Sequence, residues 1–129
     1  MSVTTVIMLG GFFNLGFAVF HLLFWRLFDW KRDLASLRFI NRQVMQILNF
    51  CLIFTFLIFA YLSFFHPTEL LATGLGRSLL FLIALFWLLR AAEQVVFFGL
   101  HRRLSLALFF VFLAGTALYA YPWISSMDT

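Results

Sequence analysis

The chain has 129 residues, 64% of them apolar and 11% charged, with 20 phenylalanines and a mean hydropathy of +1.04. A soluble domain of this length has too little interior for so much apolar surface, so the composition excludes a water-soluble enzyme or binding module and indicates a membrane protein. The formal charge of +4 does not point to nucleic acid, because the basic residues flank apolar runs and form no long tract interleaved with aromatics.

Four apolar runs follow one another: Val3 to Trp25, Val44 to Phe65, Leu75 to Leu100 and Leu104 to Tyr121. A bilayer core is crossed by about 20 helical residues at ~1.5 Å each, and every run is close to or beyond that length. They predict an all-α fold, a four-helix transmembrane bundle forming one domain over residues 1–129, with spans at about 3–26, 43–65, 74–99 and 104–122. The first run lacks a basic start and a small-residue cleavage site, so it is expected to remain as a span. Between the first two runs, Trp30, Leu34, Leu37 and Ile40 share one helical side with charges elsewhere, the pattern of a short helix lying at a membrane interface.

The second and third connections are short, which makes consecutive helices antiparallel neighbours. Pro67 is expected to end the second helix, Gly74 and Gly76 to open the third, and Gly99 to close it. Trp25, Trp30, Tyr119, Tyr121 and Trp123 fall near the two ends of the spans, where aromatic side chains anchor a bundle. Arg26, Lys31, Arg32, Arg38 and Arg42 surround the first connection and Arg102 and Arg103 the third, whereas the second has no Lys or Arg and only Arg77 lies just beyond it. The positive-inside rule therefore puts connections one and three in the cytoplasm and both termini outside.

The polar residues inside the spans carry the functional signal. Counting inward from the cytoplasmic helix ends at ~1.5 Å per residue, His21 lies roughly 7 Å from Arg26, Asn49 roughly 10 Å from Arg42 and Glu93 roughly 9 Å from Gly99, with Arg90 a turn deeper. On the first helix Gly10, Asn14 and His21 share a face; on the second, Arg42, Gln46, Asn49, Ile53, Phe56, Ala60 and Ser63 follow a repeating four-three step. On the third, Arg90 reaches Glu93 and Gln94 one turn on, and the fourth offers Ala107, Ala114 and Gly115 for packing. A charge near the core costs about 2.5 to 3.5 kcal/mol, so Arg90 and Glu93 are expected to point inward and pair.

The residues expected to line a cytoplasm-facing pocket are His21, Gln46, Asn49, Arg90, Glu93 and Gln94. Arg90 would hold an anionic group, and His21 with Glu93 are the candidates for acid–base work. No metal or cofactor is expected: there is no HExxH or paired ExxH pattern, His66 and His101 fall outside the layer that holds His21, and Cys51 is the single cysteine, read as a small packing residue.

The segments NLGFAVFHLLFWRLFDWKRDL from Asn14, NRQVMQILN from Asn41 and ELLATGLGRSLLFLIALFWLLRAAEQVVFFG from Glu69 resemble a family of small, uncharacterised bacterial four-span integral membrane proteins. The likeness covers most of the chain and implies a bacterial inner-membrane protein, with no activity attached. A weaker likeness is to the membrane-associated eicosanoid and glutathione metabolism family. Its second helix opens with Arg-x3-Asn-x2-Glu, where this chain has Arg42, Gln46 and Asn49, so the glutamate is missing and glutathione chemistry is not implied. Small multidrug transporters are similar in size but carry a membrane glutamate in the first helix, where this chain has His21.

Two function classes follow from the residues. In one, the polar layer binds a lipid-like or amphiphilic small molecule, and the sequence does not decide whether it is also catalytic. In the other, the layer sets helix register in a non-catalytic accessory or scaffold subunit. An ion or solute path ranks behind both. The expected partners are membrane lipids, including anionic headgroups at the cytoplasmic face, and either further copies of the chain or a membrane partner protein. Small residues at Gly10, Gly11 and Ala18 and at Ala84 and Ala91 suit close helix contacts within or between chains.

Overall fold

The computed structural model describes residues 1–129; it is 88% helical and has no strands. Helix α1 spans Val3–Leu22 and starts where the Ser2 hydroxyl accepts the Thr5 amide at 3.1 Å, a side-chain cap for an otherwise unpaired donor. It is interrupted at Leu23 and resumes as the single turn α2, Phe24–Leu27. Asp29, in a left-handed conformation at φ 49°, precedes α3, Trp30–Asp33, and a 3-10 turn at Leu34–Ser36. Helix α4 runs over Phe39–Phe65, α5 over Pro67–Ala72, α6 over Gly74–Glu93 and α7 over Arg103–Met127. Between the last two, Gln94–Phe98 widens into a π turn that stops at Gly99, whose φ of 70° favours glycine.

Four helical stretches are long and apolar enough to cross a membrane: Val3–Leu22, Phe39–Phe65, Gly74–Phe98 and Arg103–Met127. The first is shorter than the expected 3–26 because of the break at Leu23. The second starts earlier than 43, and the fourth passes through Pro122 instead of stopping there. The predicted apolar side of the first connection is only partly realised. Leu34 is buried and Trp30 half-buried, but Leu37 is extended (ψ 153°), which ends the short helix and leaves Ile40 exposed in the first turn of α4. As expected, Pro67 follows the end of α4, Gly74 begins α6 and Gly99 ends its π extension.

Helix α1 packs between α4 and α7, and α7 packs in turn on α6. The small residues make these approaches close. A Cβ on Gly10 would come within 2.7 Å of the Tyr119 ring, one on Gly11 within 2.6 Å of Phe64 and one on Gly115 within 2.6 Å of Phe13. Gly10, Gly11, Ala18, Ala84 and Ala91 are all buried within the chain, so their strips are consumed by intrachain packing. Ala107 and Ala114, expected to pack, are exposed instead.

The centre is aromatic. The Trp87 ring lies nearly parallel to Phe56 (centroids 5.3 Å, 13°) and Phe112 (6.0 Å, 17°), with Phe13 edge-on at 4.8 Å. Only Phe56 and Phe112 of the 20 phenylalanines are fully buried, so the others lie at partly or fully exposed positions, in keeping with a lipid-facing exterior. Helix α5 covers one end of the bundle, contacting α1, α6 and α7 and burying Leu70 to 2% exposure. Gly76 permits this, since a Cβ there would overlap the Glu69 carbonyl. Helices α4 and α6 face each other differently. Their backbones stay further apart than those of the other neighbours, and Phe56 and Phe59 reach across to Phe86 and Trp87.

Candidate functional site

The intramembrane polar residues divide into three groups, each built from side chains on different helices. In the first, the Asn49 side-chain amide donates to the His21 carbonyl at 3.1 Å while its oxygen lies 2.9 Å from His21 Nδ1. The carbonyl can only accept, which fixes the orientation of the Asn49 amide and makes Nδ1 the protonated ring nitrogen. This carbonyl lies in the last turn of α1, where backbone oxygens run short of amide partners, so α4 supplies one. The imidazole is enclosed by Phe24 at 4.2 Å, Phe56 at 5.1 Å and Phe20 at 5.9 Å between centroids.

In the second group, Arg90 Nη2 donates to Gln94 Oε1 at 3.1 Å, Gln94 Nε2 donates to Ser105 Oγ at 2.8 Å, and the Ser105 hydroxyl donates to the Gly99 carbonyl at 2.5 Å. The π turn carries Gln94 inward to 1% exposure, where it bridges α6 to α7. The Arg90 guanidinium also lies 4.4 Å from the centroid of the Phe112 ring, a cation–π contact. In the third group, Asn14 Nδ2 donates to the Gly10 carbonyl at 2.9 Å and to the Tyr119 hydroxyl at 2.7 Å, and that hydroxyl lies 2.7 Å from Ser63 Oγ. Ser63 commits its own proton to the Phe59 carbonyl at 2.7 Å, so Tyr119 must be the donor to Ser63.

The expected pairing of Arg90 with Glu93 does not form. Gln94 and the Phe112 ring take the guanidinium, and the Glu93 carboxylate makes neither an ion pair nor a hydrogen bond. Both residues nonetheless line one cleft of about 400 Å³ between α4 and α6. Thr55 and Cys51 line it as well, and Leu48, Leu52, Phe86 and Leu89 form its apolar walls. Cys51, expected as a packing residue, is exposed here. His21, Asn49, Gln46 and Gln94 are not among its lining residues, so the single chamber expected for helices one to three is divided. Gln46 turns back to its own helix, donating to the Arg42 carbonyl at 3.2 Å. The His, Cys, Asp and Glu side chains form no cluster of three that could hold a metal ion.

A wider groove of about 690 Å³ lies at the other end, between the start of α6 and the end of α7. Its one charged residue, Arg77, donates to the Thr73 and Ala72 carbonyls at 3.4 and 3.5 Å, so the groove holds no pair of opposite charges. Two buried polar atoms have no partner, Asn14 Oδ1 and Trp87 Nε1.

Tyr119 and Ser105 are the residues that sequence reasoning missed. Tyr119 was expected as an interfacial anchor, yet it is fully buried at the meeting of three helices. The signal was present: Ser105, Phe112, Gly115, Tyr119, Pro122 and Ser126, the buried residues of α7, recur at steps of seven, three and four like the stripe of the second helix.

Fold and site together define a helical bundle with four apolar spans, an aromatic core and one charged lateral cleft. No protein-family model matches the chain, and no match was found among curated proteins or solved structures.

Proposed function

We propose that this protein binds a lipid-like amphiphile in the α4–α6 cleft, in the cytoplasmic leaflet of a bacterial inner membrane. The observation that carries this reading is the composition of the cleft: an arginine and a glutamate that are not paired with each other line one opening whose walls are otherwise largely apolar. A charge at the centre of a span costs about 2.5 to 3.5 kcal/mol, and Glu93, nearer the span end, has no hydrogen bond or close ion pair in the chain to offset its share of that cost. An amphiphile supplies what both halves of the cleft lack, an alkyl chain for the walls and a polar head for the charges. The reading is one of binding, since His21 is held by Asn49 and does not line the cleft with Glu93.

In this reading the connections bearing Arg26, Lys31, Arg32, Arg38 and Arg42 and bearing Arg102 and Arg103 are cytoplasmic, with both termini outside. Exposed Leu27, Phe28, Phe39 and Ile40 beside exposed Arg26, Lys31, Arg32 and Arg38 support contact of the first connection with anionic headgroups. A second reading, an accessory or scaffold subunit, draws support from the three polar groups, whose interhelical hydrogen bonds set the rotation of every long helix.

The test is Thr55→Trp, which fills the cleft from a position that belongs to none of the three polar groups. Lipid retained through purification is measured by native mass spectrometry, alongside thermal stability. The binding reading expects retained lipid to fall severalfold with the melting temperature nearly unchanged. Undiminished lipid in a folded Thr55→Trp protein would sink it and favour the scaffold.

A further inference from the structure

We infer that the α4–α6 cleft selects a phospholipid whose head carries both a phosphate and a primary ammonium, the ethanolamine type; this rests on the binding reading above. The charged residues follow a fixed order along α6. Arg90 leaves α6 one turn deeper than Glu93, and three residues at ~1.5 Å put the Glu93 backbone about 4.5 Å nearer the end of the bundle that carries the first and third connections. Residues at this spacing share one side of a helix, and both open onto the same cleft.

A phospholipid in that leaflet presents its groups in the same sequence: acyl chains deepest, phosphate next, and the head amine outermost. Leu52, Phe86 and Leu89 provide apolar walls for a chain. Arg90 spends one nitrogen on Gln94 and is fixed over Phe112, which leaves further N–H donors for phosphate oxygens. Glu93, with no ion pair or hydrogen bond in the chain, then accepts from the ammonium. A glycerol head would leave the carboxylate without a counter-charge, and a quaternary choline head has no N–H to donate. An inverted order, carboxylate deep and guanidinium shallow, would not fit this head.

The experiment uses the purified full-length chain and phospholipids of matched acyl chains with ethanolamine, choline or glycerol heads. Binding is followed by native mass spectrometry and by protection of Cys51, the single cysteine and a cleft residue, from maleimide alkylation. A hydrogen bond between charged groups supports a preference of about tenfold for ethanolamine over glycerol heads. Glu93→Gln is expected to bring the two within about twofold, and Arg90→Gln to weaken both. Stepwise N-methylation of the ethanolamine lipid, offered to the unaltered protein, should reduce binding at each step and covers the case in which a variant fails to fold. Equal protection of Cys51 by all heads, or a preference that survives Glu93→Gln, would overturn this inference and leave amphiphile binding standing. Absence of protection by any phospholipid would overturn both.

Discussion

Removing a single oxygen from the buried triad tests how the bundle is held. Tyr119→Phe deletes the hydroxyl that accepts from Asn14 and donates to Ser63, linking α7 to α1 and α4. Ser63 keeps its own acceptor at the Phe59 carbonyl, whereas Asn14 keeps the Gly10 carbonyl for one amide N–H and is left with the other bare and buried. The cost should therefore be that of two interhelical hydrogen bonds plus one buried N–H left without an acceptor. Such bonds in membranes average about 0.6 kcal/mol and reach about 1.7, and a buried donor left bare costs about 1 to 3 kcal/mol, which together give a loss of roughly 2 to 4 kcal/mol. The ring remains and continues to fill the space against Gly10, so no cavity term adds to it. Equilibrium unfolding in mixed micelles, or steric trapping in bicelles, resolves a change of this size. A double-mutant cycle with Ser63→Ala should give a coupling of about 0.5 to 1 kcal/mol. Coupling indistinguishable from zero, with Tyr119→Phe as stable as the parent, would refute the assignment of this hydroxyl as a three-helix junction.

Glycine substitutions should separate by position. Gly10→Ala places its methyl against the Tyr119 ring and should destabilise by about 1 to 3 kcal/mol in the same assay. Gly16→Ala, with nothing within 4 Å of the new Cβ, should be neutral or stabilising by up to about 1 kcal/mol. Asn49→Leu deprives both the His21 ring N–H and the His21 carbonyl of their partner and should cost about 1 to 3 kcal/mol, with faster hydrogen exchange at the α1–α2 break as a second readout. Topology reporters fused at either terminus should report the outer side, and single cysteines placed at Lys31 and Arg102 should be labelled only from the cytoplasm; the opposite pattern would overturn the orientation.

Much of the second helix could be read directly from its sequence. Asn49, Ile53, Phe56, Ala60 and Ser63, chosen by a four-three step, are the buried residues of α4. The same step marks α7, but Tyr119 near a span end reads equally as an anchor, and only the three-dimensional meeting with Asn14 and Ser63 separates the roles. Arg90 illustrates a different limit. Glu93 and Gln94 are both one turn away, and simple electrostatics favours the carboxylate. The π turn that begins at Gln94, together with Ser105 from α7, gives the amide a buried position that sequence spacing does not encode. The separation of α4 from α6 was equally hidden, because it depends on aromatic rings on both helices holding the backbones apart.

The direction of the Asn14–Tyr119–Ser63 chain has an electrical consequence. Its first member is a carboxamide N–H and its last is the Phe59 peptide oxygen, neither of which gives up or takes on a proton in ordinary aqueous chemistry. A relay needs an ionisable terminus at each side, and this one has none. The chain therefore cannot pass current: it acts as an insulated rivet, locking three helices in rotation.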